Sequence, residues 1–369
     1  MIKIDDSSRK YHVCRIETAR SDQMANGLDD VVAAETVLSD VDGLAGRLII
    51  RGKTLAEISG RWSFEDVVGL LFEEFFANLP AGEDLTRAIG AARCEVFGRI
   101  NSSLGRLAPL PIYDGVRAGL AMMPDGESLE DALCLLAAPA VLTAALLRRQ
   151  AGSAPIAPDA AAGHAADMLR MTGRNDADGF IARALDAYLV TVSDHGLNAS
   201  TFAARVVAST HAGLTSSVLA GMSALKGPLH GGAPGPVIKM LDEIAREGDA
   251  RPWLEREVRA GGRLMGFGHR IYKTRDPRAD ALKAAVERLR GLPAITERLA
   301  FAEQVEGEAL AVLRQEKPGR PLDTNVEFFT ALLLEAAGFP PEAFTCLFAA
   351  GRVAGAVRIL SCFPINLSN

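Results

Sequence analysis

Along most of the chain the apolar positions recur every three or four residues. That is the helix period. The clearest case follows Ser63-Phe64-Glu65-Asp66, a start resembling a capping box, after which Val67, Val68, Leu71, Phe72 and Phe75 fall on one face. Similar patterns recur to the C-terminus. The exception lies upstream, where Asp42-Gly43 separates apolar stretches and Leu48-Ile49-Ile50 follows, the signature of a small hairpin. Residues before about 25 show no period and are expected to form a loosely docked terminus.

The longest apolar run, Leu133 to Leu147, contains Pro139. It reads as a buried helix or helix pair, too short for a membrane span. Two connectors rich in Pro and Gly, 151–160 and 316–325, punctuate the helical pattern. No repeat of fixed period and no low-complexity tract is present.

Composition agrees with a helical chain of globular type. Among 369 residues, 49% are hydrophobic but only 6% aromatic, so alanine and leucine carry the core. A formal charge of −6 argues against nucleic acid as a partner. The five cysteines have no C-x-x-C spacing, and no histidine pair has ligand spacing on one helix. No metal site and no disulfide framework is therefore expected, and a reducing cytoplasm is the natural home. The N-terminus lacks the apolar core of a signal peptide.

The polar exceptions to the pattern fall in four stretches. The first, GGRLMGFGHRIYKTRDPRA from Gly261 to Ala279, holds four glycines, one histidine, one lysine and four arginines. It brings backbone N–H groups and cations toward an anion, with Asp276-Pro277 as N-cap and first position of the helix that follows. In the second, LKGPLHGGAPGPV, His230 precedes Gly231-Gly232. This is either an oxyanion donor beside exposed backbone amides or a C-capping glycine turn with an incidental histidine. The third, SDHGLNASTFAARVV, places His195, Asn198, Ser200, Thr201 and Arg205 near a helix start that suits a carboxylate. Ser193-Asp194 reads equally as its N-cap, and Phe202 and Val206 as its apolar face. In the fourth, LDTNVEFFTALLLEAAGF, Glu327 stands early in an apolar helix, where Thr324 to Glu327 also fits a capping box that would occupy the carboxylate.

These four stretches occur in the order in which the citrate synthase family carries similar blocks, SDHGLNASTFAARVVAST, LKGPLHGG, GFGHRIYKTRDPRA and NVEFF. The chain resembles that family from about Gly27 to about Leu360. The resemblance implies an all-α fold. A large helical domain would be built from 1–230 and 333–369, with a small helical domain, 231–332, inserted and closing over the substrates in a homodimer. It further implies condensation of acetyl-CoA with oxaloacetate to citrate and coenzyme A, with no tightly bound cofactor. Propionyl-CoA, giving 2-methylcitrate, is the alternative acyl donor, and a catalytically weak dimerising or coenzyme A-binding relative is a third reading.

Carried over residue by residue, the family pattern makes Glu327 the base, His230 the holder of the enol(ate) oxygen and His269 the group that polarises the oxaloacetate carbonyl. His195, Arg278 and Arg352 would bind the dianion. Lys273 would meet the coenzyme A phosphates, with Gly266 and Gly268 lining the same cofactor. Three departures stand out. The family's usual base is aspartate, and the added methylene of Glu327 shifts the carboxylate by about 1 Å. GGAPGPV follows His230 where many relatives have Ala-Asn. The Arg-Pro tail that supplies a substrate arginine across the family dimer is replaced by VRILSCFPINLSN, so weak oxaloacetate binding is expected.

Overall fold

A computed structural model describes residues 36–228, 230–232, 234–320 and 322–360. The expected loose terminus, Cys14, Cys362 and the sequence beyond 360 lie outside the described residues. The hairpin forms from β1 (Ser39–Asp42) and β2 (Arg47–Ile50), antiparallel with Ser39 opposite Ile50, and a two-residue β3 (Lys53–Thr54) extends it. Its turn closes where Asp42 Oδ1 accepts the Leu44 and Ala45 N–H groups and Gly46 takes φ +62°.

Helices follow without further strands among the described residues. The first eight are α1 (Leu55–Ile58), α2 (Phe64–Phe72), α3 (Glu83–Ile100), α4 (Leu104–Leu107), α5 (Ile112–Leu120), α6 (Leu129–Gln150), α7 (His164–Met171) and α8 (Phe180–Val192). After them come α9 (Ala199–Ala208), α10 (Leu214–Leu225), α11 (Pro234–Glu247), α12 (Ala250–Arg259), α13 (Pro277–Glu287), α14 (Pro293–Glu316), α15 (Val326–Ala336) and α16 (Phe344–Leu360). The all-α expectation is met.

Ser63 and Asp66 exchange side-chain-to-backbone bonds at the start of α2, a true capping box. The helix stops at Phe72, however, because Glu74 turns to φ +64°, and Phe75 lies beyond it. Pro139 does not split the long apolar run. α6 continues through it as one helix, and the Pro139 carbonyl accepts the Thr143 hydroxyl at 2.6 Å. With its flanks α6 is long and apolar enough to cross a membrane, so length alone does not exclude a span. Its middle is nevertheless buried inside this protein, against α3, α5 and α16.

α16 is the central strut of the site. Gly351 and Gly355 let it lie against the end of α8, since a Cβ at 355 would come 2.6 Å from the Ser193 carbonyl oxygen and one at 351 would come 2.5 Å from Val192. This close approach places Arg352 beside the segment that leads to His195.

Candidate active site

The segment after α8 turns inward at Ser193, Asp194 and His195, all buried. Ser193-Asp194 is not the N-cap of α9. Asn198 fills that place, its Oδ1 accepting the N–H groups of Ser200 and Thr201. The apolar face expected at Phe202 and Val206 is also rotated. α9 buries Ser200, Thr201, Ala204 and Ala208, and leaves Val206 51% exposed. Asp194 turns toward the hairpin instead, its Oδ2 accepting the Ser39 hydroxyl at 2.5 Å.

The glycine-rich loop before α13 meets this segment. His195 Nε2 lies 3.0 Å from the Tyr272 hydroxyl, and the rings of His195, His269 and Tyr272 stand 4.8 to 5.9 Å apart. Gly266 and Gly268 adopt φ +88° and +75°, and their carbonyls accept the Asn325 N–H and side-chain amide. These two glycines therefore dock the loop on the start of α15.

His269 carries an informative conflict. Its Nδ1 accepts the N–H groups of Ile271 and Tyr272, both at 3.1 Å, so the ring proton belongs on Nε2. Yet Nε2 faces Arg278 Nη2 at 3.1 Å. Two donors pointing at each other are satisfied by an oxygen that accepts from both. Arg278 is otherwise held by Asp276, which caps α13 as expected and takes the guanidinium at 3.0 and 2.8 Å. Burial alone would raise the Asp276 carboxyl, but the Arg278 charge, the hydrogen bonds Arg278 donates and His269 together hold the group below its ordinary value.

Arg352, 4% exposed, donates Nε to the Val192 carbonyl at 2.7 Å and stacks over Phe348, while its Nη2 has no partner among the described residues. Among the described residues no carboxylate pairs with this guanidinium, and burial pulls it down to about 10. The Tyr188 hydroxyl and Asp194 Oδ1 are likewise buried and unpartnered.

His230 sits in the turn after α10, where the expected exposed amides are already used. The N–H groups of His230 and Gly232 bond to the Gly227 carbonyl, and that of Gly231 to the Leu225 carbonyl. The imidazole itself remains available, edge-on to Phe348 and with Nε2 2.8 Å from Ser200 Oγ. Sequence reasoning placed Ser200 near a carboxylate and did not pair it with His230, thirty residues away.

Glu327 is the second residue of α15. The cap is Asn325, whose Oδ1 accepts the Glu327 N–H at 3.0 Å, while the Thr324 hydroxyl turns to Glu306. The competing capping-box reading therefore fails, and the Glu327 carboxylate accepts no hydrogen bond among the described residues. Burial pushes it up to about 7, with Asp276 adding to the rise and Arg278 and Arg352 opposing it. The imidazoles shift the other way. Burial, reinforced by the two arginines, lowers His230 to about 4 and His195 well below its ordinary value. Burial and Arg278 bring His269 to about 4. Near pH 7 the site thus presents three neutral imidazoles, two buried guanidiniums and one poised carboxyl. Lys273 lies outside this group, exposed, with Nζ on the Arg270 carbonyl at 3.1 Å.

Comparisons with known proteins identify the family. The family profile described as "Citrate synthase, C-terminal domain" matches residues 27–358. The "Putative citrate synthase 2" of Mycobacterium tuberculosis is 38% identical over 334 residues, covering 89% of this chain and 86% of the relative. The citrate synthase of Haloferax volcanii is 32% identical over 353 residues, covering 91% and 90%. Among solved structures, citrate synthase from Thermotoga maritima aligns with a TM-score of 0.76 at 29% identity over 90% of each chain. The Thermoplasma acidophilum citrate synthase complex with carboxymethyl coenzyme A and oxaloacetate aligns at 0.77 and 27% identity, again over 90% of each chain. These likenesses define the class, a helical transferase that acts on acyl groups. The chain belongs to the citrate synthase family.

Proposed function

We propose that the chain condenses acetyl-CoA with oxaloacetate, releasing citrate and coenzyme A, at the site built by His195, His230, His269, Arg278, Glu327 and Arg352. The observation that carries this reading is Glu327. A carboxyl raised to about 7, without a hydrogen-bond partner among the described residues and beside two buried arginines, suits a base that must take a proton from carbon near neutral pH.

In the first step Glu327 removes a proton from the thioester methyl, and the electron pair moves onto the thioester oxygen. His230 steadies that oxygen. The Ser200 hydroxyl lies 2.6 Å from Asn198 Oδ1 and 2.8 Å from His230 Nε2. Because that hydroxyl donates its proton to Asn198 Oδ1, its contact with Nε2 fixes the orientation of the imidazole. In the second step the nucleophilic carbon attacks the oxaloacetate ketone. The ketone oxygen takes its proton in the notch between His269 Nε2 and Arg278 Nη2, and Arg352 holds a carboxylate. Hydrolysis of the resulting citryl thioester then frees coenzyme A and citrate. Lys273, with no carboxylate partner among the described residues, suits the coenzyme A phosphates.

The segment 231–332 is the part proposed to close over the substrates, although α15 continues through position 332 to Ala336. A homodimer is proposed as the working unit, with light scattering as its test. Thiol release from acetyl-CoA with and without oxaloacetate tests the activity. Release that needs oxaloacetate is the expected result, and its absence in a folded protein rejects the reading. Propionyl-CoA in the same assay tests the alternative acyl donor, since one methylene discriminates by only about 1 to 3 kcal/mol.

A further inference from the structure

On the far side of α13 from the oxoacid notch lies a cavity of about 500 Å³, walled by the hairpin and α1 on one side and α13 on the other. Its lining contains Arg47, Arg61 and Arg288 against a single carboxylate, Asp280, in a chain whose formal charge is −6. Asp280 is already engaged, accepting Arg275 Nε at 2.5 Å. The three arginines are weakly committed. Arg61 makes no ion pair or side-chain hydrogen bond among the described residues, and Arg288 reaches only the Gly60 carbonyl, at 3.4 Å. The nearest carboxylate to Arg47, that of Asp42, is 3.8 Å away. Arg251 and Arg256 on α12, by contrast, are matched with acids at close range.

Apart from Thr54 and Ser59 the rest of the lining is uncharged and mostly apolar, with Leu48, Leu55, Ala281 and Ala284 forming opposed walls. We propose that this cavity binds a phosphate-bearing ligand with an organic body, the chemistry of a nucleoside diphosphate. Guanidinium forks meet phosphate oxygens in pairs, the aliphatic walls take the base and sugar, and the volume falls in the range of small-molecule sites. A compact inorganic anion would leave those walls unused. The site is separate from the oxoacid notch because α13 turns Asp280, Ala281 and Ala284 to the cavity and Arg278 to His269.

The test is calorimetric binding, without turnover, using ADP, inorganic pyrophosphate and coenzyme A as probes on the full chain. ADP is expected to bind, and more tightly than pyrophosphate. In the Arg61→Ala/Arg288→Ala variant its affinity should fall at least tenfold, while kcat for condensation at saturating acetyl-CoA stays unchanged. Ala284→Glu, a change at an exposed helical position, adds a carboxylate to the cavity and should produce the same loss if the double variant folds poorly. Lys273→Ala should leave ADP binding intact. If coenzyme A displaces ADP in an Arg61-dependent manner, its nucleotide half is a source of the ligand; otherwise the source is a free nucleotide. Three results would overturn the site: no ADP binding at millimolar concentration, binding indifferent to all three cavity substitutions, or binding abolished by Lys273→Ala alone.

Discussion

Asn325 Oδ1 accepts the Glu327 N–H at 3.0 Å, and this single bond decides which residue caps α15. Because the cap is Asn325, Glu327 is the second helical residue, one short of the position from which a capping-box carboxylate reaches back. The carboxyl is left to chemistry.

Glu327→Gln should lower turnover at least a thousandfold with little change in either Michaelis constant. In the unaltered protein, kcat should fall as pH drops below about 7, following the base. Stability should move oppositely. A carboxyl whose folded value lies above its ordinary 4.5 stabilises the fold when protonated, and that contribution is lost as pH rises toward about 7. Glu327→Gln should therefore gain on the order of 2 kcal/mol at pH 8 and little at pH 4.5, read from denaturant midpoints at the two pH values.

Ser200→Ala should reduce kcat by about ten- to a hundredfold while the oxaloacetate Michaelis constant changes little, because the hydroxyl acts through His230. An unchanged kcat in the folded variant would remove Ser200 from the mechanism.

The order and identity of the four polar stretches were legible in the sequence, as were the hairpin, the Asp276 cap and the helical class. The pairings that give those stretches their chemistry were not. Tyr272 meets His195 across 77 residues of chain and Ser39 meets Asp194 across 155, and local periodicity carries no information about either. The rotated face of α9 has a related cause. Ser200 and Thr201 are turned inward by tertiary contacts that a hydrophobic count cannot weigh. Gly351 and Gly355 were a missed signal, since two glycines four apart in an apolar helix mark a close crossing.

Arg352→Ala should raise the oxaloacetate Michaelis constant at least tenfold and leave that of acetyl-CoA nearly unchanged. The unpartnered Nη2 is the group available to a carboxylate. Arg352→Lys should rescue little, because a lysine cannot hold the Val192 carbonyl and a carboxylate at once.

His164 is fully buried with neither ring nitrogen partnered among the described residues, and burial followed by the Arg93 charge lowers it to about 3. A histidine kept neutral in the fold but protonated when unfolded withdraws stability as pH falls below its ordinary 6.5 toward about 3. His164→Leu should therefore raise stability by on the order of 2 kcal/mol at pH 5 and less at pH 8, with turnover unaffected. Thermal melts at both values measure the difference.

The hairpin touches both halves of the site, through Ser39 on Asp194 and through the Gly43 carbonyl on the Lys273 N–H. Each clasp closes a very long loop of chain, and closures of that kind come late in folding. On dilution from denaturant, helical circular dichroism should return first and turnover only afterwards, at the rate of hairpin docking. Substitutions in the turn, such as Gly46→Val, should lengthen that lag while leaving the early helical phase alone.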